Sequence, residues 1–131
     1  MATKPKRVWT DLDAAFLAHP TTGDVTIRGD DRAIKFAVKA LVMTQHYERL
    51  FHGEIGTPLK TLLFENFDDL TTILIKESIL DILGNYEPRI TVTDVVVKPD
   101  FDKHTINIDI IYKIKNSNAL SNVSVTLDRS R

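Results

Sequence analysis

The spacing of apolar residues first becomes regular about thirty residues into the chain. Ile34, Val38 and Leu41 recur at intervals of four and three, which is the stripe of an amphipathic helix. Aspartates are favoured at the position that caps a helix N-terminus, and either Asp30 or Asp31 can take that position. The pattern therefore predicts a helix that begins at Asp31 and ends at about Thr44 or Gln45.

Two further helices are predicted in the middle of the chain. A short one spans Pro58 to Phe64, with proline in the first turn, where it is tolerated. A longer one spans Leu70 to Tyr86, with Asp68 and Asp69 as residues that can cap its N-terminus and Gly84-Asn85 as a plausible C-terminal stop. Additional apolar residues widen the face of the longer helix enough to predict burial from two sides: Ile73, Leu74, Leu80 and Leu83.

The remainder of the chain alternates with a period of two and predicts strands. The clearest strand is Thr105 to Lys115, and a last short strand is Val123 to Leu127. The strand from Ile90 to Val97 changes phase once, which predicts a bulge near Thr93-Asp94. With a short early strand at Val25 to Ile27, the predicted fold is α+β, in which N-terminal helices pack on a three-stranded antiparallel β-meander.

Composition narrows the class of protein. A chain of 131 residues without cysteine and with a formal net charge of −1 is typical of one intracellular domain. We therefore expect a single domain over residues 1–131, with residues 1–10 as a flexible arm. Because no whole-domain basic field exists and no long apolar run or signal peptide is visible, neither a nucleic acid nor a membrane is an expected partner.

The sequence gives no strong indication of catalysis. The four histidines lack metal-ligand spacing and the glycines do not form a phosphate loop, so no metal, cofactor or small-molecule substrate is predicted. Carboxylates such as Glu54 and Glu87 could serve a peptidoglycan hydrolase, which is the alternative function. However, Arg89 lies two residues from Glu87 and favours its ionised form, whereas a general acid must hold a proton. We therefore predict no catalytic residue and no enzyme.

The triplet Glu87-Pro88-Arg89 lies between the long helix and the first long strand. Its two charges could form an intrachain pair that fixes the corner, or could bind a partner. Proline limits the freedom of the corner in either case.

Several motifs together resemble one family. They occur in this order: "DLDAAF" at 11–16, "TGDV" at 22–25, "DDRAIKFAVKALVMT" at 30–44, "YERLFHGEIGTPLKTLLFE" at 47–65, "YEPRITV" at 86–92, and a closing Leu127-x-Arg129-x-Arg131. Their order and spacing are similar to those of the baseplate wedge proteins of contractile-tailed phages, also called gene-twenty-five-like lysozymes, which are related to a baseplate component of type VI secretion systems.

The resemblance implies a structural subunit of the virion tail baseplate that is assembled in the host cytoplasm. Its implied partners are the other wedge subunits and the tail sheath protein, and it implies that this chain initiates sheath assembly. By resemblance, Glu87, Pro88 and Arg89 lie against the core bundle of larger wedge subunits. The strands are expected to exchange contacts with the sheath through these positions: Ile106, Ile108, Ile110, Tyr112, Val123, Val125 and Leu127. A generic assembly adaptor, unrelated to tails, is a third possibility.

Overall fold

The computed structural model describes residues 9–65, 68–115, 117 and 119–128. In chain order the elements are β1 (Thr10–Leu12), β2 (Ile27–Gly29), α1 (Asp31–Met43), α2 (Leu59–Leu63), α3 (Asp69–Tyr86), β3 (Ile90–Asp100), β4 (Thr105–Ile114) and β5 (Leu120–Asp128). The basic residues at 4, 6 and 7 and the closing arginines at 129 and 131 lie outside this description. So does most of the predicted flexible arm at 1–10, of which Trp9 packs against the core and Thr10 begins β1.

The predicted mixture of helices and sheet is confirmed, but the helices are not N-terminal. Two short strands come first and pair antiparallel, with Thr10 opposite Gly29 and Leu12 opposite Ile27. The sequence pattern predicted only the second of these strands, and placed it two residues early. Val25 instead makes an isolated bridge with Ala18. Strands of three residues carry too few side chains for their alternation to be read reliably.

Helix α1 matches its prediction closely, because its stripe is fully used in the core. Ile34 and Val38 are 0% exposed and Leu41 is 8% exposed. The cap differs from expectation: the Asp30 side chain does not cap the helix, and its Oδ1 accepts the backbone N–H of Trp9 at 3.1 Å. Asp30 therefore joins the N-terminal strand to the helix.

Helix α3 begins as predicted, since Asp68 Oδ1 accepts the backbone N–H of Thr71 at 2.8 Å. The predicted end of the helix at Tyr86 is confirmed, but Gly84-Asn85 does not stop it: both residues are helical, and the N–H of Glu87 still donates to the Leu83 carbonyl at 3.0 Å. Glycine lowers helix propensity by only about 1 kcal/mol, which the packing of the preceding turns outweighs.

Among the residues that the structure describes, only one side of α3 is buried. Ile75 and Ile79 are 0% exposed and Leu83 is 1% exposed, all against the core. On the other side, Ile73 is 52% exposed and Leu80 36%. Of the four residues that predicted burial from two sides, Leu83 alone is buried.

The main sheet is antiparallel with strand order β3-β4-β5, so β4 is central and β3 and β5 are the edges. The predicted bulge is confirmed by a register shift between Val92 and Asp94. The last strand is longer than predicted, extending from Leu120 to Asp128. Alternate residues of β4 and β5 point into the core, which the helices cover: Ile106, Ile108, Ile110, Tyr112, Ile114, Val123, Val125 and Leu127. In the described part of the chain, no helix is long and apolar enough to cross a membrane.

Candidate interaction site

The Glu87-Pro88-Arg89 corner is a rigid turn between α3 and β3. Glu87 leaves the helical conformation with φ −124° and ψ 78°, and its N–H still donates to the last turn. Pro88 has no N–H to satisfy and is exposed. The carbonyl of Arg89 accepts the N–H of Lys115 at 3.0 Å, which ties the corner to the end of the sheet. Both ends of the turn are therefore fixed by backbone hydrogen bonds.

The two charged side chains of the corner form a bidentate pair. Arg89 Nε donates to Glu87 Oε1 at 2.6 Å, and Arg89 Nη2 donates to Glu87 Oε2 at 2.8 Å. The remaining Nη1 donates to Asp11 Oδ2 at 3.1 Å, so the guanidinium also holds β1. A planar fork facing a carboxylate is the geometry in which arginine binds most strongly.

Burial makes this pair unlike a surface ion pair. The side chains are 3% exposed for Glu87 and 17% for Arg89, whereas Asp11 is 41% exposed. Hydrogen bonds to Glu87 raise the pKa of Arg89 above its ordinary value; burial opposes this rise, and Asp11 adds to it. A buried pair is costly to break, because removal of one member leaves the other charge without compensation. The corner is therefore a structural unit in the isolated chain.

A second polar group lies next to this corner on the inner face of the sheet. Tyr112 is 0% exposed, and its hydroxyl has no hydrogen-bond partner among the described residues. Ser121, its register partner on β5, donates to Asp31 Oδ1 at 2.6 Å. Burial first, and then the negative charges of Asp31 and Glu87, raise the pKa of Tyr112 to about 12, and the neighbouring Ser121 hydroxyl opposes part of this rise. The Tyr112 ring therefore packs in the core with a neutral hydroxyl.

The predicted site residues divide into two groups in the structure. Pro88 is exposed and Arg89 is partly accessible, so the corner can be reached from solvent. The strand residues named as sheath contacts are buried on the core face, and those on β4 belong to the central strand. Any contact made with an added strand therefore uses the backbone of an edge strand, because the inward side chains are already packed. The binding roles of both groups stay predictions.

The structure adds Asp11 to the corner, which sequence reasoning did not select. Asp11 lies 78 positions from Arg89 along the chain. The only signal that could have found it is its membership of the "DLDAAF" motif at 11–16. Pairing over such a separation is decided by the tertiary structure.

The pKa shifts of five described carboxylates all favour the ionised form. Every carboxylate whose pKa departs clearly from its ordinary value is shifted downward: Asp13, Asp31, Glu54, Asp68 and Asp94. For Glu54 the cause is first a hydrogen bond from its own backbone and then one from His52. Retention of a proton at neutral pH needs the opposite shift. No cluster of three or more metal-ligating side chains occurs in the described ranges.

Solved structures share this fold, and one of them is a chain of a baseplate. A crystal structure of a Geobacter sulfurreducens protein called a tail lysozyme superposes with a TM-score of 0.69 at 22% identity, covering 76% of this chain and 91% of that one. A chain of the anti-feeding prophage baseplate, solved by cryo-electron microscopy, superposes with a TM-score of 0.63 at 20% identity. The match covers 94% of this chain and 87% of the baseplate chain. Both comparisons are evidence of a shared fold.

Sequence comparison identifies the family. The family model for the baseplate wedge protein gp25 matches residues 28–119. The baseplate wedge protein gp25 of Enterobacteria phage T4 is 34% identical over 83 residues, which span 63% of this chain and 63% of the length of that protein. The chain belongs to the baseplate wedge protein gp25 family, as the motifs predicted.

Proposed function

We propose that this chain is a structural, non-enzymatic wedge subunit in the baseplate of a contractile tail. It docks on other wedge subunits through the Glu87-Pro88-Arg89 corner. It also initiates sheath assembly through an edge strand of its sheet. The observation that carries the docking proposal is the rigid, charge-bearing corner whose Arg89 is partly accessible and whose Pro88 is exposed. A preorganised corner loses little conformational freedom on binding.

The internal pairing of the corner supports docking of a particular kind. Glu87 uses both carboxylate oxygens on Arg89, whereas Asp11 is 41% exposed and binds Arg89 through one oxygen. A partner cation or backbone N–H can therefore reach Asp11, and a partner carboxylate can compete with Asp11 for Arg89 Nη1. On binding, the hydrogen bond between Arg89 Nη1 and Asp11 is replaced by hydrogen bonds to the partner. The buried bidentate pair of Glu87 and Arg89 stays formed.

The alternative, peptidoglycan hydrolysis, has weaker support. Glu87 is buried in its pair with Arg89, and the pKa of Glu54 is lowered. Neither residue suits the part of general acid. Turbidity of purified cell-wall sacculi tests this directly: we expect no clearing by the purified chain, and clearing that disappears in Glu54→Gln would establish the hydrolase instead.

Two variants of the corner separate docking from stabilisation. Arg89→Ala leaves buried Glu87 unpaired, and we expect it to destabilise the chain by about 3 kcal/mol, near the low end for buried pairs because Arg89 is partly exposed. The double variant Glu87→Gln, Arg89→Met removes both charges and keeps the side-chain volume, so the melting temperature recovers most of the loss. If the corner docks, neither variant co-purifies with the other wedge proteins of the particle.

The matched control is Lys98→Ala, which removes another cation that binds a carboxylate, at 3.6 Å from Asp109. Lys98 lies near the end of β3 that is opposite the corner, where it pairs with Asn107. We expect this variant to co-purify normally. Recovery of co-purification in the double variant, in step with its melting temperature, would show that the corner only stabilises the fold.

A further inference from the structure

The outer face of α3 carries large apolar side chains that nothing in the described chain covers. Leu70 is 62% exposed, Ile73 52%, Leu74 40% and Leu80 36%. The helix has 18 residues, about 27 Å in length, and is apolar on its outer side as well as on its core side. A helix that is apolar all round is usually buried on all sides.

The spacing of this face is that of a helix-packing seam. Leu70, Ile73, Glu77, Leu80 and Gly84 follow one another at intervals of three, four, three and four. Positions repeating in this way occupy one side of a helix and receive the side chains of a facing helix. At Gly84 an added Cβ would meet nothing within 4 Å, so a partner backbone can approach closely there. This outer seam is opposite the side that contacts the sheet.

The charges of the outer seam are acidic. Glu77 lies in the middle of the seam and Asp81 beside it, both exposed and without an ion pair in the described chain. The nearest cation on the helix, Lys76, is held by Asp94 at 2.8 Å. A carboxylate in the centre of an apolar seam needs a cation opposite it when the seam is covered, because desolvation of an unpaired charge costs several kcal/mol.

We propose that the outer seam of α3, formed by Leu70, Ile73, Glu77, Leu80 and Gly84, binds an amphipathic helix of another protein that presents lysine or arginine opposite Glu77 and Asp81. A second copy of this chain does not satisfy the seam, since Glu77 and Asp81 would face like charges. The inference deepens the proposed docking function and rests on it for the setting, but it uses residues separate from the Glu87-Pro88-Arg89 corner.

Two designed helical peptides of about three heptads test the proposal. They share a leucine seam and differ at the central seam position and its flanks, which carry lysine in one and glutamate in the other. Binding to the purified full chain is measured by fluorescence anisotropy. The lysine peptide is expected to bind at least about tenfold more tightly than the glutamate peptide, and less tightly as salt increases.

Charge reversal identifies the seam as the site. Glu77→Lys is expected to reverse the order of the two peptides, whereas Glu54→Lys, the same change on a side chain that is 60% exposed in a loop, leaves the order unchanged. Ile73→Asn weakens binding of the lysine peptide about tenfold or more. Ile27→Asn, at 58% exposure on β2, does not. Circular dichroism confirms that each variant is folded.

Equal binding of the two peptides, or an unchanged order in Glu77→Lys, would overturn the proposal. So would dimerisation of the chain in sedimentation that is lost in Ile73→Asn, because a second copy would then be the occupant. The peptide measurements use no other wedge protein, so a negative result for the outer seam does not affect the co-purification test of the corner. A negative co-purification result likewise does not affect the peptide measurements.

Discussion

Arg89 joins two parts of the chain that local sequence does not connect. It binds Glu87 two positions away and Asp11 78 positions away. In the absence of the fold, Glu87 and Arg89 could be read as an exposed pair worth about 0–1 kcal/mol, whose arginine could be removed with little effect. Because the Glu87 side chain is only 3% exposed, removal of Arg89 alone is expected to destabilise the chain. The correct test of binding therefore replaces both Glu87 and Arg89 with uncharged residues.

Tyr112 provides a second prediction at the residue scale. Tyr112→Phe removes a buried hydroxyl that has no partner in the described chain, so we expect the free energy of unfolding at pH 7 to rise by about 1 kcal/mol. Urea denaturation measures it. The matched control is Tyr47→Phe, where the ring is 89% exposed and no change is expected.

The same variant has a distinct pH dependence. The pKa of Tyr112 is raised from 10.0 to about 12 in the folded chain. Tyr112 therefore contributes stability that is fully present below pH 10 and is lost as the pH rises toward 12, by about 2–3 kcal/mol in total. Tyr112→Phe should lack this loss. An equal decline of wild type and variant between pH 10 and pH 12 would contradict the assignment.

At the scale of elements, the strongest contrast is between two glycines. Gly84 lies inside α3, where an added Cβ meets nothing within 4 Å. Gly56 has φ +147°, and an added Cβ would lie 2.4 Å from the carbonyl carbon of Gln45. The first glycine weakens a helix that packing holds together, and the second permits a backbone contact that no other residue allows.

Alanine substitutions should therefore have opposite signs. Gly84→Ala is expected to stabilise the chain by about 0.5–1 kcal/mol, because it improves helix propensity without a clash. Gly56→Ala should destabilise it by more than that, because Gln45 and the loop must shift. Thermal unfolding of both variants at neutral pH gives the comparison. A lower melting temperature for Gly84→Ala would show that the helix end depends on glycine.

At the scale of the whole molecule, the sheet has two edges and one central strand. Strand addition needs free backbone donors and acceptors, which β3 and β5 offer and β4 does not. Ile108 and Val125 differ for this reason, although both are buried and both were predicted to contact the sheath. A proline at Ile108 would break a ladder that is paired on both sides.

Two single proline variants at adjacent positions of β5 test its contact with the sheath. In an antiparallel edge strand successive N–H groups point alternately to the neighbouring strand and away from it, so only one of Ser124→Pro and Val125→Pro should unfold the sheet. The variant that keeps its melting temperature has lost an outward donor. We expect virions carrying it to fail in sheath growth. Normal sheaths on that folded variant would show that β5 is not the edge used.

The sequence alone correctly predicted the structural features that depend on residues close together in the chain. The apolar stripe of α1, the Asp68 cap of α3, the alternation along β4 and the bulge near Asp94 were all predicted, because each is encoded by neighbours within a few positions. The family was also predicted correctly, because its motifs extend over most of the chain.

The tertiary structure decided what depends on distant residues. It placed two strands before the helices, paired Asp11 with Arg89, and buried Glu87 so that the corner is held from within. It also left the outer side of α3 open, although the sequence predicted burial from two sides. The physical reason is the same throughout: periodicity determines which face of an element is apolar, but only packing determines what covers that face, and whether it is this chain or another.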